Sequence, residues 1–313
     1  MMTNYSKKML VAAMGLAVVS TAINAEELWD PHLRGVNEGL AAGTLPPEGV
    51  YGILNSYWAS YKQYDNAGSN SSGVKLDALV EVPIILWSTG WKVLGADYAM
   101  GIAQPFDYTN MKLGNNAAFS DNGHWGTFNT ILIPGQLSWS MANDLHVKAG
   151  LDVYLPDASS SPGHLPANVA EAGSGNNFWT LQPELAISWL HNGWNVTVDA
   201  NYSYNFKNTT TDYKSGQELG IDYTVAKNMG KWTVGLGAHQ MIQLSNDSGS
   251  GANTAQTDCA NNNGCKVSTF GLGPLLGYNF GTVSVMAEYN HALSAKNEVA
   301  GDIFNVRLVF PFQ

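Results

Sequence analysis

Charge is scarce in this chain: Asp, Glu, Lys and Arg make up 13% of its 313 residues, against about 25% in an average soluble domain. The shortage is greater on the basic side, with 15 Lys and Arg against 25 Asp and Glu. That balance argues against nucleic acid or any other polyanion as a partner. Long hydrophobic runs are also missing. No stretch after the N-terminus reaches the roughly 18 continuous apolar residues of a membrane-crossing helix. Cysteine is nearly absent. Cys259 and Cys265 share a polar loop with no histidine close by, which is too little for a structural zinc site and gives no catalytic pattern. No metal or organic cofactor is indicated.

The N-terminus supplies the compartment. Lys7 and Lys8 precede an apolar run from Met9 to Val19, and small residues follow up to Ala25. This is the layout of a secretory signal peptide spanning residues 1–25. Cleavage is expected after Ala25, although Ile23 is larger than the residue usual at that place. Losing Lys7 and Lys8 leaves 13 basic residues against 25 acidic ones, a net charge near −12. In an exported chain Cys259 and Cys265 are expected to close their loop as a disulfide. Low charge, 33 Gly, 10 Trp, export and no hydrophobic helix fit one class best, a transmembrane antiparallel β-barrel.

Residues 26–49 precede the first strand. Leu33 to Ala42 suits a short helix ended by Gly43, Pro46 and Pro47. The segment reads either as a plug in a barrel lumen or as a loose periplasmic lead, with the lead slightly favoured. From residue 50 to 313 the chain reads as barrel. Twelve strand-like runs follow, at 50–64, 72–86, 91–106, 125–139, 144–155, 176–190, 193–206, 215–227, 231–245, 265–280, 282–293 and 302–312. Single-chain bacterial barrels have even strand counts. Short connections near Ser88–Gly90, Ser140–Asn143, His191–Asn192, Asn228–Gly230 and Gly281 alternate with longer ones at 65–71, 107–124, 156–175, 207–214, 246–264 and 294–301. Short periplasmic turns and longer extracellular loops produce that alternation. Trp87, Trp91, Trp139, Trp189, Trp194 and Trp232 gather at the short-turn end, as an interfacial aromatic girdle requires.

Period-two alternation sorts the strand faces. In 145–155 the apolar set is Leu145, Val147, Ala149, Leu151, Val153 and Leu155, against His146, Lys148, Gly150, Asp152 and Tyr154. Packing the polar set in a dry core would cost several kcal/mol per unpaired ion, so the apolar set is expected to face lipid. The same rule applied throughout gives an expected lumen lining of Lys75, Asp77, Glu81, Asp97, His146, Lys148, Asp152, Glu184, Asp199, Glu218, Asp222, His239, Glu288 and Arg307. Nine of these are carboxylates, which implies a narrow acidic lumen favouring cations or neutral solutes. Lys75, Lys148 and Arg307 also fit a purely structural role as partners of neighbouring carboxylates. Asp212, Tyr213 and Lys214 are expected at the extracellular mouth. There they either bind a ligand or pin a loop through a Lys214–Glu218 pair.

The last strand alternates Phe304, Val306, Leu308, Phe310 and Phe312 with Asn305 and Arg307. It resembles the closing strand of a bacterial outer-membrane barrel, a resemblance that implies outer-membrane lipids and the barrel assembly machinery as partners. Larger stretches resemble one family. GLAAGTLPPEGVY (39–51), LGADYA (94–99), GLDVYLP (150–156), TDYKSGQELGIDY (211–223), WTVGLG (232–237), LGP (272–274) and the VRLVFPF ending are similar to outer-membrane proteins of the phenol meta-pathway degradation family, also described as transporters linked to the catabolism of aromatic compounds. The resemblance covers nearly the whole mature chain. It implies a channel for small hydrophobic or neutral, aromatic solutes, and it carries over no binding residues. The alternative is a structural or surface-interaction barrel whose loops do the work. An outer-membrane hydrolase finds only isolated candidates, His291 near Ser294 and the lone His164, with no complete triad.

Overall fold

The computed structural model describes residues 30–70, 73–113, 123, 125–159, 174–255 and 265–312. The strands are β1 (Gly49–Tyr64), β2 (Val74–Val93), β3 (Ala96–Ala103), β4 (Phe106–Leu113), β5 (Trp125–Thr127), β6 (Ile131–Ser140) and β7 (Leu145–Tyr154). They continue with β8 (Thr180–His191), β9 (Trp194–Asn205), β10 (Glu218–Met229), β11 (Trp232–Gln243), β12 (Ser268–Asn279), β13 (Ser284–Lys296) and β14 (Glu298–Pro311). One short helix, α1 (Ser250–Ala255), lies in a loop. β3 and β4 form one spanning strand interrupted at Gln104–Pro105, and β5 and β6 form another interrupted at 128–130. All pairings are antiparallel, and β1 pairs with both β14 and β2, which closes a 12-strand barrel.

The prolines show how the sequence shapes the wall. A proline cannot donate to a ladder and is tolerated where pairing lapses. Pro134 and Gly135 sit at the β6 bulge. The β8–β9 ladder skips from Leu181 to Glu184 around Pro183. The β12–β13 ladder skips from Leu272 to Leu275 around Pro274.

Two connections depart from the sequence expectation. The first short turn is at Leu94–Gly95, with φ of 52° and 80°, not at Ser88–Gly90. Both residues take the left-handed conformation of a two-residue hairpin turn. Trp87 and Trp91 therefore share β2 and pack edge to face at 5.6 Å. The expected long loop at 294–301 is a tight turn at Asn297, φ 54°. Around it β13 and β14 pair with each other only as far as His291–Asp302. Beyond that, β13 continues along β12 and β14 along β1.

The outer surface is apolar in a middle band and aromatic at both ends. Ile85, Ile187, Val198, Val225 and Leu236 are exposed in the band. At the short-turn end Trp87, Trp91, Trp189, Trp194 and Trp232 are exposed, and Trp139 donates its indole N–H to the Leu94 carbonyl at 3.1 Å. At the long-loop end Tyr289, Phe304, Trp58, Leu79, Tyr108 and Trp125 face one another in register across neighbouring strands. Exposed apolar surface of this extent is stable only against lipid.

Residues 30–46 lie inside the barrel, and Pro47 and Glu48 are exposed at its rim. The Leu33–Ala42 stretch forms turns rather than the expected helix, and its contacts place it in the lumen, not in the periplasm as a loose lead. Leu33 packs against the buried cluster of Tyr57, Leu76, Ala78, Val80, Val82, Ala103, Phe128 and Ile303.

Candidate functional site

Alternation on each strand and the anchoring of residues 30–48 divide the lumen into two unlike halves. The charged half is built by β7 to β11 with β13 and β14. Lys148 on β7 pairs with Glu184 on β8 at 2.7 Å. Asp222 on β10 accepts the backbone N–H groups of Gly35 and Asn37 at 3.0 and 2.9 Å, and His32 Nε2 lies 3.3 Å from it. Asp199 on β9 accepts the Asn37 side-chain amide at 2.9 Å. Arg307 on β14 pairs with Glu288 on β13 at 3.2 Å and donates to the Glu38 carbonyl at 2.9 Å and to the Val36 carbonyl. Glu38 accepts an amide N–H of Asn290 at 2.7 Å, and His239 Nδ1 is 3.5 Å from its carboxylate. Arg34 pairs with Asp30 and with Glu298 at 3.2 Å and donates to the Val299 carbonyl at 2.6 Å. Further down, Gly43 donates to Ser188 Oγ and accepts from Ser138 Oγ, each at 2.8 Å. These charges fix an inner segment to the wall.

The other half of the lumen is apolar. Val80, Val82, Ile84 and Leu86 on β2 point inward, with Tyr51 and Ile53 on β1, Phe128, and Ile131 and Ile133 on β6. Together with Leu33, Val36, Leu40 and Leu45 they border a cavity of about 530 Å³. Across it lie Gln136, Lys148, Asp152, Gln182, Glu184 and Asn201. The cavity thus has one greasy wall and one hydrogen-bonding wall.

The structure places Lys148, Asp152, Glu184, Asp199, Glu218, Asp222, His239, Glu288 and Arg307 on inner faces. His146 is half-buried on the inner side of the periplasmic rim, 3.1 Å from Ser140 Oγ. Four expectations are corrected. Lys75 and Asp77 are exposed on the outer face of β2, and Asp77 accepts from Ser60 Oγ at 2.7 Å. Glu81 shares that face and accepts from Ser56 Oγ at 2.7 Å. Asp97 lies at the rim, in an exposed pair with Lys92 at 2.6 Å. The cause lies in β2, where Val74, Leu76, Ala78, Val80 and Val82 turn inward, so a rule placing polar residues inside fails for that strand. A signal was present in the sequence. Trp87 has the same parity as Lys75, Asp77 and Glu81, and a girdle tryptophan must face out.

At the extracellular mouth Asp212 pairs with Lys207 and accepts from Ser250, and these bonds hold its carboxyl well below the usual carboxylate range. Tyr213 is buried and donates to Asp247, while Lys214 lies 5.1 Å over the Tyr204 ring. Glu218 is fully buried on β10. The loop's contacts run through Asp212, Tyr213 and the Lys214–Tyr204 stack rather than the expected Lys214–Glu218 pair. Cys265 is disulfide-bonded, and Cys259, the chain's other cysteine, lies outside the described residues, as does His164. Among the described residues no group of His, Cys, Asp and Glu is arranged to hold a metal. The residues that sequence reasoning missed are His32, Arg34, Asn37 and Glu38, along with the apolar wall of β2 and β6.

Residues 61–308 match the family described as "Putative MetA-pathway of phenol degradation". The chain belongs to this family. The fold agrees with that of an outer membrane channel from Pseudomonas putida F1, at a TM-score of 0.69 and 15% identity over 91% of this chain and 100% of that one. Weaker likenesses are to the β domain of the Bordetella autotransporter BrkA, at a TM-score of 0.46 and 12% identity over 85% of this chain and 100% of that one. The translocator domain of the Neisseria meningitidis autotransporter NalP is similar at 0.46 and 12%, over 87% and 91%. No curated protein matches the sequence.

Proposed function

We propose that this barrel sits in the bacterial outer membrane and passes small hydrophobic or neutral solutes, above all single-ring aromatic compounds, through its two-faced cavity. The observation that carries the reading is the wall of Val80, Val82, Ile84, Phe128, Ile131 and Ile133 facing Gln136, Gln182 and Asn201 across about 530 Å³. Ligand pockets typically span about 300–1,000 Å³, and an apolar cavity of about 150 Å³ already holds benzene. An aromatic ring would lie against the valines and isoleucines, and a hydroxyl or carbonyl on it would reach the amides opposite. Membership in a family named for phenol degradation supports the solute class. The likeness to an outer membrane channel supports passage. The ion pairs that engage Lys148, Arg307, Asp222 and Glu288 argue against a wide aqueous pore for ions.

The test is uptake of radiolabelled phenol at limiting concentration by cells without the barrel and by cells in which it is restored. Restoration is expected to raise the initial rate severalfold. Equal rates in the two strains would refute the reading.

A further inference from the structure

The outer face of the barrel carries three stacked rows at its long-loop end. The lowest is the aromatic row described above. Two residues further along each strand lies a polar row, with His291, Asp302, Ser60, Asp77 and Asn110 in register across neighbouring strands. Two residues further again, Lys62 faces Lys75 and Lys75 faces Lys112. All three lysines are exposed. None has an ion pair or hydrogen bond at contact distance among the described residues, although Lys62 lies near enough to Asp302 to attract it. Like charges directly opposite across a sheet destabilise it, so this row is a standing repulsion that an anion would relieve. The mature chain has only 13 basic residues, and three of them stand side by side here.

The ground below the lysines is also shaped. Trp58, Leu79, Tyr108 and Phe304 border an external groove of about 390 Å³ with Ser60, Asp77, Asn110 and Asp302 along its upper edge. The two carboxylates there are already engaged. Asp77 accepts from Ser60, and Asp302 accepts from Tyr289 and lies 2.7 Å from His291 Nδ1. Each keeps lone pairs for hydroxyl donors, and as charges the two carboxylates offset the row of three lysines only in part. The three rows match three parts of one molecule: acyl chains on the aromatics, sugar hydroxyls on the carboxylates and amide, and phosphate on the lysines.

We propose that the outer face of β13, β14, β1, β2 and β4 is a binding site for a phosphorylated glycolipid of the outer leaflet. Hydroxyl-accepting carboxylates below a lysine row favour a phosphorylated sugar over a glycerol-phosphate headgroup. This inference is independent of what passes through the lumen.

The test uses the purified full chain in detergent and measures binding of bisphosphorylated lipid A, phosphatidylglycerol and inorganic phosphate. Wild type is expected to bind lipid A at least tenfold more tightly than phosphatidylglycerol, and free phosphate only weakly. The triple variant Lys62→Gln, Lys75→Gln, Lys112→Gln is expected to bind lipid A about 100-fold more weakly, given the contribution of each basic residue near an anionic lipid surface. The corresponding triple arginine variant is expected to bind as wild type does. Lys231→Gln, at the opposite end of the barrel, is expected to change nothing. Heat-modifiable gel mobility confirms that each variant is folded. Equal lipid A affinity in wild type and the folded glutamine variant would overturn the proposal. So would equal wild-type affinity for lipid A and phosphatidylglycerol, or binding of inorganic phosphate as tight as that of lipid A.

Discussion

Lys148 and Glu184 show what a charge does inside this barrel. Their side chains are 10% and 5% exposed and meet at 2.7 Å. Removing one partner of such a pair leaves the other buried and uncompensated, at a cost of about 3–5 kcal/mol, while replacing both with apolar residues is often neutral. Glu184→Leu is therefore expected to lower the urea midpoint of unfolding markedly, and Lys148→Met with Glu184→Leu to restore most of it. If the single and double variants unfold at the same point, the pair is not a unit. At the outer surface the logic reverses. A lysine facing lipid costs about 2–4 kcal/mol at the membrane midplane and little at the interface, which is why Lys62, Lys75 and Lys112 occur only beyond the aromatic row.

Among the elements, residues 30–48 are expected to set how open the lumen is. Asp222 and Arg307 hold this segment from two sides, one by accepting two backbone N–H groups and the other by donating to two carbonyls. The wild-type barrel is expected to show only small conductance in planar bilayers. Asp222→Asn combined with Arg307→Gln is expected to raise it severalfold by loosening the segment. Unchanged conductance in the folded double variant would show that these contacts do not close the lumen. The strands were legible in the sequence because alternation over ten or more residues is a strong signal, and the even count and loop asymmetry reinforced it. The segment was not legible. Its anchors are single polar groups on distant strands, such as Asn37 with Asp199 and Asp222, and no local pattern records that meeting. Strand β2 misled for a different reason. Lys75 and Asp77 lie beyond the aromatic row and face outward at no great cost, while Glu81, inside that row, accepts from Ser56 Oγ.

At the scale of the whole molecule the chain is a closed barrel with a greasy outer band, aromatic rims and a lumen divided between hydrocarbon and hydrogen-bonding walls. That division explains a composition poor in charge yet able to place six carboxylates, Lys148, Arg307 and His239 on inner strand faces. Lys148, Glu184, Glu288 and Arg307 are engaged in ion pairs, and Asp199, Asp222 and Arg307 hold residues 30–48, which leaves the β2 and β6 wall as the apolar surface a solute would meet. The most direct test is equilibrium binding of radiolabelled phenol to the full chain in lipid nanodiscs, with empty nanodiscs as the reference. The account predicts saturable binding above lipid partition. It also predicts loss of that binding in Val82→Asn, which makes the apolar wall polar, and in Ala103→Phe, which fills the cavity. Phenol uptake by the loaded discs no greater than by empty ones, or binding unchanged in both folded variants, would contradict it.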